Sequence, residues 1–101
     1  MGADALPAFM AQARAHVIFF GRVQGVFFRD NACRKAAELC VTGWVRNVPD
    51  GSVEAVFEGE EAAVKAIIEW CATSQPNASV KRHEGRWERP TGEFATFDVR
   101  R

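Results

Sequence analysis

The spacing of apolar positions changes along the chain, and each change marks a new element. Ala15 to Phe20 is short, aromatic and β-branched, which predicts a strand with Val17 and Phe19 on one face. Residues 21–28 carry no period. From Asp30 onward, Cys33, Ala36, Ala37 and Cys40 recur at helical spacing and predict one apolar stripe of a helix. Asp30 or Asn31 near its start suits the positive end of the helix dipole. Gly43 to Val48 reads as a second strand. Pro49-Asp50-Gly51 is turn chemistry, and Ser52 to Glu58 alternates beyond it, with Val53, Ala55 and Phe57 on one face and Glu54, Val56 and Glu58 on the other. A second helix is expected from Glu60 to Thr73, with Val64, Ile67, Ile68 and Cys71 inward and Glu60 and Glu61 in its first turn. Ser79 to Glu88 is a charged strand suited to a sheet edge. After the Arg89-Pro90-Thr91-Gly92 turn, Glu93 to Val99 makes the last strand.

The order βαββαβ predicts an α+β fold, a ferredoxin-like α/β sandwich with two helices on one face of a mainly antiparallel sheet. All three Cys (33, 40 and 71) fall on helix stripes expected to face that sheet, as small buried hydrophobes. Residues 1–13 are Ala-rich and without period, so a flexible N-terminal extension is expected there, with the folded domain at 14–101.

Composition narrows the function. A chain of 101 residues fits one domain. Its 13 basic and 13 acidic side chains cancel, which disfavours a strongly basic nucleic-acid binder. No fully apolar stretch is longer than the four residues of Val17-Ile18-Phe19-Phe20, far short of the ~20 residues that span a bilayer. The N-terminus lacks the basic start and apolar run of a secretory signal, and the odd Cys count has no C-x-x-C pair. A cytoplasmic chain without disulfides or metal is therefore expected. Charge is uneven: residues 14–46 hold six basic groups against Asp30 and Glu38, and residues 47–79 hold six acidic groups against Lys65. The expectation is two solvated faces of opposite sign.

The candidate chemistry lies in the first βα turn, Gly21-Arg22-Val23-Gln24-Gly25-Val26-Phe27-Phe28-Arg29. Backbone N–H groups at a helix start lack partners, and the helix dipole adds positive character. Gly21 and Gly25 allow the main chain to form a concave nest, and Arg29 adds a planar guanidinium. That combination suits a tetrahedral oxyanion. It is neither a Walker loop nor a dinucleotide fingerprint. In a split βαβ unit the first two strands run parallel with a third between them, so their C-terminal ends share one sheet edge. Asn47, near the end of the second strand, can therefore reach toward an anion in the loop, and its carboxamide can both accept a hydrogen bond from water and donate one.

The Gly21–Arg29 string, followed by Gly43-Trp44-Val45-Arg46-Asn47 and Asp50-Gly51-Ser52-Val53-Glu54, resembles the signature of the acylphosphatases, as does the closing Phe97-Asp98-Val99. The resemblance runs from about Ala15 to the C-terminus. It implies hydrolysis of the carboxyl–phosphate bond of small acyl phosphates without metal or cofactor, giving carboxylate and inorganic phosphate. It implies that Arg29 binds the phosphate and Asn47 positions the attacking water. The loop residues Val23, Gln24, Gly25, Val26, Phe27 and Phe28 would then bind substrate. A carboxylate leaving group is stable at neutral pH, which accounts for the lack of a general acid in either motif. A monomer without nucleic-acid or membrane partners is expected.

Two departures stand out. Many members of that family carry Gly where this chain has Cys40, so a left-handed helix cap there would be strained. Some follow the Asn with Thr, where this chain has Val48. His16 reads as a strand-surface residue, Arg22 as a solvated cation or a weak substrate contact, and Trp44, Trp70 and Trp87 as packing or sheet surface. Two other functions share the element order: an RNA-binding sheet, which needs aromatic platforms and surplus positive charge, and a non-catalytic phosphate-binding or regulatory domain.

Overall fold

Ala13, Ala15, Val17 and Phe19 alternate along the first strand and all are buried, which commits one face of the sheet to a helix layer. The computed structural model describes residues 11–101. Its elements are β1 (Gln12–Arg22), α1 (Phe28–Leu39), β2 (Thr42–Asn47), β3 (Val53–Glu60), α2 (Glu61–Thr73), β4 (Ser79–Glu88) and β5 (Phe97–Val99). The sheet order is β4-β1-β3-β2-β5, antiparallel throughout except for the parallel β2–β5 pair. This is the ferredoxin-like arrangement expected from the pattern, with β4 at an edge and β5 added at the other.

The first strand starts earlier than its apolar pattern indicates. Gln12 pairs with Glu60 and Ala13 with Gly59, and the Glu61 N–H donates to Ala11 O at 2.7 Å. Residues 12 and 13 thus belong to the sheet and not to an extension; the rest of that expectation, residues 1–10, lies outside the described residues. The last strand is shorter than expected. It spans Phe97–Val99 and not Glu93–Val99, and the turn before it covers the buried Glu58 carboxylate, which accepts hydrogen bonds from Thr91 N at 3.0 Å and Gly92 N at 2.5 Å. A buried carboxylate left without donors would be costly, so these N–H groups serve it rather than a ladder.

The helices meet the sheet through Val64, Ile67 and Cys71 of α2 and through Phe28, Ala32 and Ala36 of α1. The α1 stripe differs from expectation. Because the helix begins at Phe28, the inward face repeats from there, and Ala37 is exposed. Cys40 is exposed too. It lies just past the last helical residue with φ 58° and ψ 38°, and its departure from helical geometry swings it off the stripe. The Val41 N–H reaches back to Ala36 O at 2.9 Å, and the Cys40 N–H to Ala37 O at 3.4 Å, which is a Schellman closure. Cys33 packs half-buried against the core. Burial pushes the Cys71 thiol up to about 12, and burial first, then Asp30 and Asp98, raises that of Cys33.

The uncovered face of the sheet is charged but not segregated. Antiparallel pairing places the basic groups of β1 and β2 against the acidic groups of β3. Arg46 Nε lies 2.6 Å from Glu54 Oε1, His16 Nε2 lies 2.5 Å from Glu54 Oε2, and Arg14 bridges Glu88 at 3.0 Å and Glu93 at 2.8 Å. The expected faces of opposite sign are therefore one interleaved network. His16 and Trp44 flank Val56 in register, with ring centroids 6.4 Å apart, and that row buries Val56 on the face opposite the helices.

Two outcomes follow. Cys40→Gly removes a side chain from a left-handed position and should stabilise the fold by about 1 kcal/mol, raising Tm by about 4–8 °C in a thermal melt. Burial pushes the Glu54 carboxyl up, but the hydrogen bonds and charges of His16 and Arg46 outweigh it and hold the group below its usual range. Arg14 does the same for Glu88 against a similar desolvation. Carboxyls depressed in the folded state add stability that is complete above about pH 4.3 and is lost as pH falls through their folded values. Melts from pH 7 to pH 3 should show Tm falling below about pH 4.3, with a shallower fall in Glu54→Gln.

Candidate active site

The turn between β1 and α1 has its side chains spoken for. Val23, Val26 and Phe28 are buried in the core. Gln24 turns toward the β2–β3 hairpin, where its Nε2 donates to Val48 O and to Ser52 O, each at 2.8 Å. Gly25 has φ +76°, and a Cβ there would meet open space, so glycine is required by the backbone conformation and not by crowding. Gly21 is the reverse case: a Cβ would lie 2.4 Å from Ser79 O, at the point where the β1–β4 register shifts between Phe20 and Gly21. Its glycine serves the close approach of β4 rather than the loop itself.

Phe27 closes the turn in the left-handed region, with φ 61° and ψ 25°, and acts as the N-cap of α1. No side chain caps this helix, and the first intrahelical bond runs from Asn31 N–H to Phe27 O at 3.0 Å. The early N–H groups of α1 thus have no intrahelical carbonyl to meet. Arg29 and Asp30 fall in this first turn, because the helix begins two residues earlier than the apolar pattern indicates. The turn is held from below by Gln75, itself buried, whose Nε2 donates to Phe28 O at 3.1 Å.

The hairpin carries the other half of the site. Asn47 ends β2 opposite Val53, and Val53 in turn faces Phe19 of β1. The Pro49-Asp50-Gly51 connection is closed by Val48 N–H to Ser52 O at 2.9 Å and Gly51 N–H to Val48 O at 3.0 Å. Asp50 Oδ1 accepts from Ser52 N at 2.8 Å and Ser52 Oγ at 2.6 Å, and these bonds, the hydroxyl first, lower its pKa.

A cavity of about 360 Å³ is lined by Val23, Gly25, Phe27, Phe28, Arg29, Asp30 and Asn47. It brings the two residues singled out by their chemistry, Arg29 and Asn47, to one wall-and-rim arrangement around the turn. A second cavity of similar volume, between α1 and the segment before β5, is lined by residues such as Cys33, Cys40 and Phe97 and has no charged side chain. Of these two, only the first presents a guanidinium to an anion.

Comparison with known proteins gives the family and the fold. The family model for acylphosphatase matches residues 15–99. The chain belongs to the acylphosphatase family. It is 52% identical over 90 residues to the acylphosphatase of Roseiflexus sp. (strain RS-1), covering 89% of this chain and 97% of that one. The acylphosphatase from Coxiella burnetii superposes with a TM-score of 0.82 at 37% identity, over 88% of this chain and 93% of its own. That from Bacillus subtilis gives 0.83 at 30% identity, over 88% and 99% respectively.

Two features of this family member's site escape the sequence pattern. Gln24 sits inside the motif and reads there as a loop residue, but its carboxamide ties the turn to the backbone beside Asn47. Asp30 reads as a helix-start residue and is also part of the cavity lining. Neither contact has a local signal, since each depends on where a distant strand comes to rest. Gln24→Leu removes one of the two hydrogen bonds at each of two hairpin carbonyls, which keep their backbone donors, and should cost about 1–3 kcal/mol of stability, measurable as a lowered urea midpoint at unchanged m.

Proposed function

We propose that the chain hydrolyses the carboxyl–phosphate bond of small acyl phosphates, with the phosphate held by the 23–28 main chain and Arg29 and the attacking water aligned by Asn47. Family membership makes it an acylphosphatase-type hydrolase, acting on an acid anhydride. The observation that carries the residue assignment is the shared cavity of Arg29, Asn47 and the uncapped start of α1.

The chemistry follows from what those groups can do. A left-handed Gly25 and a left-handed Phe27 within one short turn are the backbone signature of an anion nest. Unpartnered N–H groups and the helix dipole favour a dianionic PO₃ group there. The Arg29 fork can grip two equatorial oxygens, which spread charge as the P–O bond to the acyl oxygen breaks. Asn47 can accept a hydrogen bond from a water and so fix its line of attack on phosphorus. Water adds to phosphorus, the carboxylate departs with the bonding pair, and a non-bridging phosphate oxygen takes the proton. The products are carboxylate and inorganic phosphate, and no side chain needs to act as an acid.

The coverage of relatives named acylphosphatase along nearly their whole length favours this reading over a non-catalytic phosphate-binding domain. Base stacking on the open sheet face is disfavoured, because Arg82 sits 3.9 Å over Phe20 and Arg100 4.4 Å over Trp44. The reading includes a monomeric, cytoplasmic enzyme acting on a free small molecule; the charged β4 edge speaks against strand addition. Among the described residues no helix is long and apolar enough to cross a membrane.

Arg29→Ala and Asn47→Ala should each lose about 100–1000-fold in kcat/KM on acetyl or benzoyl phosphate, the effect of deleting one transition-state donor. Arg29→Lys should not restore the rate, because an ammonium lacks the two-pronged geometry. Parental turnover by a folded Ala variant, assayed by phosphate release, would remove that residue from the mechanism.

A further inference from the structure

Phe27 is the apolar side chain of the site that the fold leaves unburied. Phe19, Phe28 and Phe57 are buried, whereas Phe27 is 71% exposed. It also holds a left-handed backbone, which for a bulky residue costs about 1–2 kcal/mol. The other two non-glycine residues with positive φ, Cys40 and Asn77, stand at the end of α1 and in the turn before β4. An apolar ring that is strained and solvated at once, on the lining of the phosphate cavity, is where an observed outlier points to function.

The geometry points to Phe27 as the contact for the acyl group, and to neutral apolar acyl phosphates, aryl ones above all, as the preferred substrates. This rests on the reading of the site given above. With the PO₃ group against the turn and Arg29, the acyl portion must leave the cavity toward its open side. The Phe27 ring stands on that lining beside Asp30, an exposed carboxylate of the same first helical turn. The ring offers an apolar face to a phenyl or alkyl chain. Asp30 opposes any acyl group that carries a second negative charge, since like charges a few ångströms apart repel even across water. Attraction to the ring and repulsion from the carboxylate then select together for an uncharged, apolar acyl group.

The test compares kcat/KM for benzoyl, acetyl and succinyl phosphate, with inorganic phosphate as a competitive inhibitor, on the parental chain and three variants whose folding is checked by Tm. Phe27→Ala should lower the benzoyl-to-acetyl ratio of kcat/KM by about 3- to 10-fold. It should raise KM for benzoyl phosphate by more than it raises the inhibition constant of inorganic phosphate. Phe27→Tyr, which keeps the ring, should hold the parental ratio. Asp30→Asn should raise the succinyl-to-acetyl ratio by about 2- to 5-fold at low salt. If Phe27→Ala shifts benzoyl, acetyl and inorganic phosphate alike, the residue acts through the backbone turn and the assignment fails. An unchanged benzoyl-to-acetyl ratio overturns it as well, and an unchanged succinyl-to-acetyl ratio in Asp30→Asn overturns the selection against charge. Absence of turnover of all three substrates by the parental chain is a different result, and it overturns the function itself.

Discussion

The site depends on one constraint of sheet geometry: β1 and β2 run parallel, and β3 lies between them, antiparallel to both. The row Phe19–Val53–Asn47 crosses these strands. It sets the end of β1, from which the turn proposed to bind the phosphate departs, level with the end of β2, where Asn47 stands. A one-residue slip in either pairing would send Asn47 to the other face and the core residues Val45 and Val53 to solvent. Burial of those valines therefore also holds the geometry of the proposed site.

Within that frame, hydrogen bonds of modest individual strength adjust the fit. Gln24 fastens the turn to Val48 and Ser52, on either side of the hairpin connection, and Gln75 fastens the first turn of α1 to the α2–β4 connection. Each carboxamide spends donors on backbone carbonyls, which leaves main-chain N–H groups of the turn for an anion. The strain in the site is concentrated at Phe27. The surrounding structure over-determines that conformation, with Val26 and Phe28 buried on either side. Far from the cavity, Arg14 and Glu58 organise the opposite end of the sheet and hold the 91–93 segment, so stability and chemistry occupy separate ends of the same strands.

The element order, the edge position of β4, the hairpin and the inward residues of α2 were all legible in the chain, because each depends on local period and turn chemistry. The acylphosphatase-like motifs singled out Arg29 and Asn47 for the same reason, since residue type and spacing carry that signal. The inward face of α1 differs from the expected stripe because Phe28 belongs to the helix, and burial of its ring centres that face on Phe28, Ala32 and Ala36, which turns Ala37 outward. The separation of charge by sequence segment also misled, because antiparallel pairing folds the basic segment onto the acidic one.

Sequence alone determined which residues could do chemistry and the fold that carries them, since residue type and apolar period are properties of the chain itself. Only the tertiary structure decided that Gln24 braces the hairpin, that Cys40 leaves the core, that Glu58 is buried under residues 91–92, and that Phe27 stands exposed beside Asp30. Those outcomes come from contacts between segments distant in the chain. Their free energy depends on what a side chain meets in space, which no local pattern records.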